Sequence, residues 1–216
     1  MRISHAHKFI FFATPRTGST TVRDVLDEYS DIASVHITEV SSEFPFYHHI
    51  SPLELKAIFM ERGWEWDSYR KFCFVRNPYD RVVSLYHHFL RIRKENKLKG
   101  VKGLLWRLRY LTTRAPSFRQ YVMRLNSSKR LPTTLPEFVG DGEGRLMVDT
   151  VLKYEELAES LPECLMRYGL DVDAQNIPHL NASARERDYR KYYDCTLKKK
   201  VQELYQYEFK EYDYEF

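Results

Sequence analysis

Close to the N-terminus, a short apolar run is followed at once by a polar turn and a helical pattern. Residues 8–14, which read KFIFFAT, are mostly apolar and β-favouring, and they predict a buried strand. The turn PRTGSTT at residues 15–21 stops this strand, and apolar residues recur at helical spacing from Val22 onward. A buried strand joined to a helix by a short turn is typical of α/β proteins.

The same alternation of strand and helix patterns continues along the chain. Its 216 residues suit a single domain, and we predict one α/β domain covering residues 1–216. Strands that alternate with helices predict a parallel sheet with helical crossovers. Further strands are predicted at residues 32–38, 71–75 and 146–153, with helices opening at Ser51-Pro52 and Asn77-Pro78 and covering residues 117–125, 155–168 and 196–209.

The turn after the first strand has the composition of an anion-binding loop. Gly18 allows a close backbone approach, Arg16 adds a positive charge, and Ser19, Thr20 and Thr21 carry hydroxyl donors beside a helix N-terminus. A Walker A motif needs a lysine directly after its second glycine, whereas Gly18 is followed by Ser19, which disfavours a P-loop ATPase. An ordinary glycine-containing turn is the alternative.

A second strand–helix junction repeats this arrangement at residues 72–86, which read FCFVRNPYDRVVSLY. Arg76 stands where the strand ends, Pro78 opens the helix, and Ser84 lies eight residues beyond Arg76. Arg76 and Ser84 would converge on one phosphate if the strand and the helix bend suitably. The alternative is a helix cap in which Arg76 forms a surface ion pair with Asp80.

Taken together, the two junctions resemble the nucleotide-binding signatures of the sulfotransferases. The resemblance implies a P-loop-like three-layer α/β fold with a central, mainly parallel sheet flanked by helices. It also implies that 3′-phosphoadenosine 5′-phosphosulfate (PAPS) is the sulfate donor. Arg76 and Ser84 would hold its 3′-phosphate. The loop for its 5′-phosphosulfate would comprise Arg16, Thr17, Gly18, Ser19, Thr20 and Thr21.

The C-terminal part of the chain resembles the carbohydrate branch of the same family, whose relatives include the heparan and chondroitin sulfotransferases. The resemblance rests on IPHLNAS at residues 177–183, YRKYYD at 189–194 and the aromatic tail. It implies transfer of a sulfuryl group to a hydroxyl of a carbohydrate or glycoconjugate, with adenosine 3′,5′-bisphosphate (PAP) as the other product. Residues 96–145 match nothing in the family, and we interpret them as a basic insertion that could bind substrate.

Position 16 departs from the family pattern, because many sulfotransferases have lysine there. Arginine is effectively always protonated, so Arg16 can stabilise charge on the leaving phosphate but is a poor proton donor. A sulfuryl group carries less charge than a phosphoryl group, and the sequence shows no carboxylate–histidine cluster. We therefore expect a reaction without a metal.

The acceptor hydroxyl needs a base, and histidine fits this role because its ordinary pKa is about 6.5. Relatives often have a histidine before a helix that carries an acid, and by that match His49, in HISPLE at residues 49–54, is the first choice and His48 the second. His36 and Glu39 come next. His87 and His88 are predicted to pack or face solvent. His179 lies in a proline-containing loop that could close over the nucleotide.

Basic residues are concentrated in one segment. Residues 91–130 contain 13 Lys or Arg and one acid, a net +12, whereas the whole chain is +4 and the remainder therefore −8. We interpret the segment as a platform for an acidic acceptor; a solvated face is the alternative. A rival function is a non-enzymatic nucleic-acid binder, in which aromatic residues of this segment stack on bases. Those residues are Trp106, Tyr110, Phe118 and Tyr121.

The remaining composition excludes several protein classes. Three widely spaced cysteines without a CxxC pair disfavour a disulfide scaffold or a zinc site, which favours a reducing, cytoplasmic location. Residues 9–13 are the longest apolar run near the N-terminus, far short of the ~20 residues that a membrane span needs. A P-loop nucleotide or metabolite kinase remains the alternative enzyme, although it lacks the Gly-Lys pair.

Overall fold

The computed structural model describes residues 1–95, 114–125, 134–172, 177 and 186–216. These residues form two compact units. The sheet unit draws on Met1–Asn77 and Thr133–Ala182, and the helical unit on Pro78–Pro132 and Ser183–Phe216. The extent of a single domain over 1–216 stays a prediction.

The sheet unit is built on a sheet in which the described residues contribute five strands, in the order β3-β1-β2-β4-β5. Strand β2 pairs in parallel with β4, and β4 in parallel with β5, whereas β1 is antiparallel to both of its neighbours. The predicted α/β fold with a central sheet is confirmed. Among the described strands two of the four pairings are parallel, so the sheet is mixed and not mainly parallel, because a short turn joins β1 to β2 as an antiparallel hairpin. The strands are β1 Arg2–Ser4, β2 Phe9–Phe12, β3 Ile32–Ala33, β4 Arg70–Val75 and β5 Thr150–Lys153.

The helices occupy most of the ranges that the sequence predicts. The helix expected over residues 196–209 is in fact two helices, because Tyr205 leaves the helical conformation at φ −118° and ψ 34°. In chain order the described helices are α1 Ser19–Leu26, α2 Pro52–Glu61, α3 Pro78–Glu95, α4 Phe118–Met123, α5 Leu135–Val139, α6 Leu157–Met166, α7 Cys195–Leu204 and α8 Gln206–Glu211.

Helix α2 begins with the capping box that its sequence predicts. Ser51 Oγ accepts a hydrogen bond from the backbone N–H of Glu54, and a Glu54 carboxylate oxygen accepts from the Ser51 N–H at 3.0 Å. Each partner satisfies one of the donors that a helix start leaves unpaired. This cap fixes the start of the helix at Pro52, three residues after His49.

Phenylalanines of the two central strands form the core of the sheet unit. Phe9, Phe11, Phe72 and Phe74 are fully buried and pack beneath helices α1 and α6. Burying each such side chain contributes roughly 1.5–3 kcal/mol. Because β2 and β4 are parallel neighbours, their carboxyl ends lie side by side at one edge of the sheet.

The helical unit has a core of its own around α3. Buried residues of α3, α4 and α7 pack together with aromatic side chains of the C-terminal segment. A buried ion pair joins Arg81 to Glu208 in this unit, with 3.9 Å between nitrogen and oxygen. Ser84 lies on α3 and is 2% exposed.

Candidate active site

The loop between β2 and α1 is held in shape by hydroxyl groups. Thr14 Oγ1 donates to the carbonyl oxygen of Phe74 in the neighbouring strand. Thr17 Oγ1 lies 2.6 Å from Thr14 Oγ1 and 3.0 Å from the Thr14 carbonyl oxygen. Both threonines are buried, so these bonds tie the loop to the carboxyl end of β4. The Thr17 hydroxyl is thus engaged inside the loop.

Two positions of this loop adopt left-handed backbone conformations. Gly18 has φ 76°, and Arg16 has φ 65°, a conformation that costs a residue with a side chain roughly 1–2 kcal/mol. The first turn of α1 closes when the Val22 N–H donates to the Gly18 carbonyl oxygen at 3.2 Å. The N–H groups of residues 19–21 are therefore those that a helix start offers to other acceptors, where the helix dipole favours an anion.

Gly18 lies directly against the ring of Tyr154. Tyr154 opens a short 3₁₀ turn, Tyr154–Glu156, that follows β5. A Cβ atom added at position 18 would come within 2.7 Å of two ring carbons of Tyr154 and 3.0 Å of Leu157 Cδ1. Only glycine fits there, both because of its positive φ and because of this contact.

Replacing Gly18 with alanine is expected to lower the free energy of unfolding by more than the ~1–2 kcal/mol that a left-handed alanine costs. The matched control is Gly63→Ala, because Gly63 has φ 66° but no atom within 4 Å of the added Cβ. Denaturant unfolding of both variants measures the difference. If Gly18→Ala and Gly63→Ala lost the same unfolding free energy, the Tyr154 ring would not restrict the residue at position 18.

Arg76 is buried beside the same loop. Its Nη1 donates to the carbonyl oxygen of Arg16 at 3.1 Å, and its guanidinium carbon lies 4.2 Å from the centroid of the Tyr154 ring. The structure therefore brings the predicted 15–21 loop and the predicted Arg76 together within the sheet unit. Ser84 lies in the helical unit, and its pairing with Arg76 stays a prediction.

His49 reaches the same edge of the sheet. Its Nδ1 lies 2.7 Å from the carbonyl oxygen of Ala13, which directly follows β2. A carbonyl oxygen can only accept, so Nδ1 carries the proton and the neutral ring keeps its lone pair on Nε2. Desolvation of the partly enclosed ring lowers the pKa of His49, the bond to Ala13 raises it, and the charges of Arg23 and Arg16 lower it further. The net lowering keeps His49 neutral at pH 7.

His48 is less well prepared to act as a base. Its Nδ1 lies 3.0 Å from Ser34 Oγ. Burial, followed by the positive charge of Arg23, lowers the pKa of His48 to about 4. A base works best when its pKa lies near the operating pH, and a pKa this low weakens it.

The other predicted histidines have local partners or fall outside the described residues. His36 caps the short turn Ile37–Glu39 by accepting from the Thr38 N–H. His87 Nε2 lies 2.9 Å from Tyr192 Oη within the helical unit. His88 Nδ1 lies 3.2 Å from an Arg91 nitrogen. His179 lies outside the described residues.

Comparison with known proteins identifies the family of this chain. Residues 1–215 match the sulfotransferase family. The chain belongs to that family. The predicted resemblance is confirmed at this level, and the protein is an enzyme of the sulfotransferase class.

One solved sulfotransferase structure shows that the fold is shared. Mouse sulfotransferase SULT7A1 complexed with PAP aligns with 98% of this chain and 87% of its own, at 13% identity and a TM-score of 0.54. A sulfotransferase from Alicyclobacillus acidocaldarius aligns with 92% of this chain and 95% of its own, at 13% identity and a TM-score of 0.37. No curated protein matches this chain.

Sequence reasoning missed two residues that contact the candidate site. Tyr154 supports both Gly18 and Arg76, and Glu155 Oε1 accepts the backbone N–H of Asn77 at 2.8 Å. Their position in the sequence was the available signal, because Tyr154 directly follows the predicted strand 146–153 and Glu155 opens the predicted helix 155–168. Side chains at the carboxyl ends of parallel strands gather at one edge of the sheet.

The basic segment of this sulfotransferase is described only in part. Arg107, Arg109, Trp106 and Tyr110 lie outside the described residues, so an acceptor platform stays a prediction. Within the helical unit, Phe118 and Tyr121 each pack against Tyr86, with ring centroids 5.4 Å apart. These two aromatic residues are engaged in the core, which removes part of the support for base stacking.

The described ranges hold neither a metal-binding cluster nor a membrane-spanning helix. Across residues 1–95, 114–125, 134–172, 177 and 186–216, no cluster of His, Cys, Asp or Glu is arranged to hold a metal ion. Of the helices in those ranges, none has the length and apolar character needed to cross a membrane.

Proposed function

We propose that this sulfotransferase moves the sulfuryl group of PAPS to a hydroxyl of a carbohydrate or glycoconjugate acceptor and releases PAP. The observation that carries the proposal is the bond from Arg76 to the Arg16 carbonyl oxygen, which joins the two predicted nucleotide-binding elements. It supports a single anion-binding site made of the loop and the arginine.

The residues present suit the two phosphate-bearing ends of PAPS. The helix start after Gly18 offers N–H groups and the positive end of a dipole, which favours the 5′-phosphosulfate. Arg76 offers a planar fork of donors that matches a phosphate. In the proposal Ser84 completes the 3′-phosphate site, as the family resemblance implies.

The transfer step uses one base and one charge-stabilising group. The acceptor hydroxyl gives its proton to Nε2 of His49 as its oxygen forms a bond to sulfur. The bond from sulfur to the bridging oxygen breaks, and that oxygen leaves with PAP as part of its 5′-phosphate. Arg16 and the helix start stabilise the negative charge that develops there. Arg16 remains protonated throughout.

A carbohydrate acceptor is supported by the resemblance of residues 177–183 and 189–194 to the carbohydrate branch. An anionic acceptor is supported by the net charge of +12 over residues 91–130. We propose that the enzyme acts in the cytoplasm, because its cysteines are not arranged as a disulfide scaffold and so suit a reducing compartment. The three cysteines lie far apart along the chain, and Cys73 and Cys164 are buried within the sheet unit.

A thermal-shift comparison tests the donor. PAP is expected to raise Tm, because a ligand that binds only the folded state stabilises it, whereas ATP with magnesium leaves Tm unchanged. If ATP with magnesium raised Tm and PAP did not, the result would favour a P-loop kinase. Salt-sensitive binding of oligonucleotides without any response to PAP would favour a nucleic-acid binder.

Transfer of radiolabelled sulfate from PAPS tests the acceptor. A panel of neutral and anionic glycans is incubated with the enzyme, and label in the glycan fraction is measured. Incorporation into a glycan supports the proposal. If the enzyme bound PAP but labelled only small phenols or alcohols, PAPS would remain the proposed donor and the proposed carbohydrate acceptor would be wrong.

A further inference from the structure

We infer that Tyr154 is a positioning residue that holds the 15–21 loop and Arg76 in one arrangement for nucleotide binding. The inference rests on the proposed function, because it assigns Tyr154 a role in the affinity for PAP. Tyr154 itself need not touch the nucleotide.

Strand register places Tyr154 beside Arg76. Val75 and Lys153 are paired partners at the ends of the parallel strands β4 and β5. Arg76 therefore directly follows the end of β4, and Tyr154 directly follows the end of β5. The side-by-side placement follows from the pairing of the sheet and does not depend on a flexible loop.

One part of the Tyr154 ring contacts the loop at Gly18. Ring carbons Cδ2 and Cε2 lie so close that an added Cβ on Gly18 would be 2.7 Å away. Gly18 directly precedes helix α1, whose first N–H groups belong to the proposed 5′-phosphosulfate site. A smaller side chain at position 154 would leave the loop without this support.

The guanidinium of Arg76 lies against the same ring. A distance of 4.2 Å from the guanidinium carbon to the ring centroid is a close cation–π contact. The Nη1 of this guanidinium already donates to the Arg16 carbonyl oxygen at 3.1 Å, so the ring and the carbonyl together fix its position and orientation. A planar donor fork must be oriented to bind a phosphate with two parallel bonds.

Neighbouring residues keep the 154–157 segment in place. Leu157 is 8% exposed and belongs to the core of the sheet unit, and Tyr154 packs against that core. Glu155 Oε1 accepts from the backbone N–H of Asn77, the residue after Arg76. The segment is therefore tied on one side to the core and on the other to the end of β4.

Three variants separate positioning from general stability. Tyr154→Leu removes the ring, Tyr154→Phe keeps it, and Tyr168→Leu is the matched control. Tyr168 packs against the same core and also has an arginine over its ring, with Arg70 5.4 Å away, but Arg70 begins β4 whereas Arg76 follows its end. Calorimetric titration with PAP gives Kd, thermal unfolding gives Tm, and a transfer assay gives KM for PAPS and for the acceptor.

Tyr154→Leu is expected to raise Kd for PAP by about tenfold, as loss of one cation–π contact and of the loop support predicts. KM for PAPS rises in step, and KM for the acceptor stays within about twofold. Tyr154→Phe restores Kd to within about twofold of the wild type, since the ring and not the hydroxyl makes both contacts. Tyr168→Leu lowers Tm and leaves Kd unchanged.

Three results would overturn the inference: an unchanged Kd in Tyr154→Leu, a loss in Tyr154→Phe as large as in Tyr154→Leu, or an equal loss in Tyr168→Leu. The second would make the Tyr154 hydroxyl a direct ligand contact, and the third would reduce the effect to general stability. Failure of the wild type to bind PAP is a separate result that overturns the proposed function and this inference together.

Discussion

The His49→Ala variant is expected to lower kcat for sulfate transfer by about 10²–10⁴-fold, the usual contribution of a general base. Its Kd for PAP should stay within about twofold of the wild type, because His49 bonds the Ala13 carbonyl and belongs to none of the groups proposed to hold phosphate. Steady-state rates at saturating PAPS and acceptor, with calorimetric titration of PAP, measure both quantities.

The pH profile gives a second readout of the same residue. The base must be neutral to accept a proton, and the lowered pKa of His49 lies below its ordinary value of about 6.5. The rate should therefore be flat at and above pH 7 and fall as the pH drops through that lowered pKa. In His49→Ala this acid limb disappears.

His48→Asn is the neighbouring control. Asparagine retains a polar group near the position of Nδ1, which lies 3.0 Å from Ser34 Oγ, so the local bond can be kept. We expect a loss in kcat of less than about tenfold, because a group with a pKa near 4 is a weak base. If His49→Ala kept normal rates while His48→Asn lost them, His48 would be the base.

Arg76→Ala is expected to raise Kd for PAP by about 10²–10³-fold, since hydrogen bonds to charged groups contribute roughly 1.5–3 kcal/mol each. The substitution also removes the donor to the Arg16 carbonyl and the cation on the Tyr154 ring, which loosens the loop. Calorimetric titration with PAP measures the change, and thermal unfolding records any loss of stability.

Arg70→Ala is the control for Arg76→Ala, because it removes an arginine from the ring of Tyr168 at the other end of β4. Its Kd for PAP should match the wild type. Arg76→Lys should recover only part of the affinity, because an ammonium group lacks the planar fork. Wild-type affinity in Arg76→Ala would contradict both the 3′-phosphate assignment and the proposed joining of the two elements.

The central strands and their loops were predictable because their sequences are locally unambiguous. Residues 8–14 and 71–75 are compact apolar runs; β2 lies within the first, and β4 covers the second and begins one residue earlier, at Arg70. Strand β1 was missed because Arg2–Ser4 is too short for a periodic pattern and contains a buried arginine. Arg2 is tolerated there because it pairs with Asp27, a contact that only the fold reveals.

The candidate site was predictable where one segment carries its own signal. The glycine turn and the Arg76 junction each stand out in the sequence. Tyr154 does not, because its role comes from the pairing of Val75 with Lys153, which are 78 positions apart. The division of the 196–209 helix at Tyr205 likewise depends on packing in the helical unit, where Tyr205 is fully buried.

Three hydrogen bonds that shape this site have a main-chain carbonyl oxygen as their acceptor. Thr14, His49 and Arg76 each bond a main-chain carbonyl oxygen, and those oxygens belong to positions 74, 13 and 16. Every amino acid supplies such an oxygen, so the identity of the residue at an accepting position can drift while the framework persists. Arginine can thus stand at position 16, where the family resemblance leads us to expect lysine, without disturbing the bond from Arg76. A substitution at an accepting position keeps the bond, whereas a substitution of the donor Thr14, His49 or Arg76 removes it.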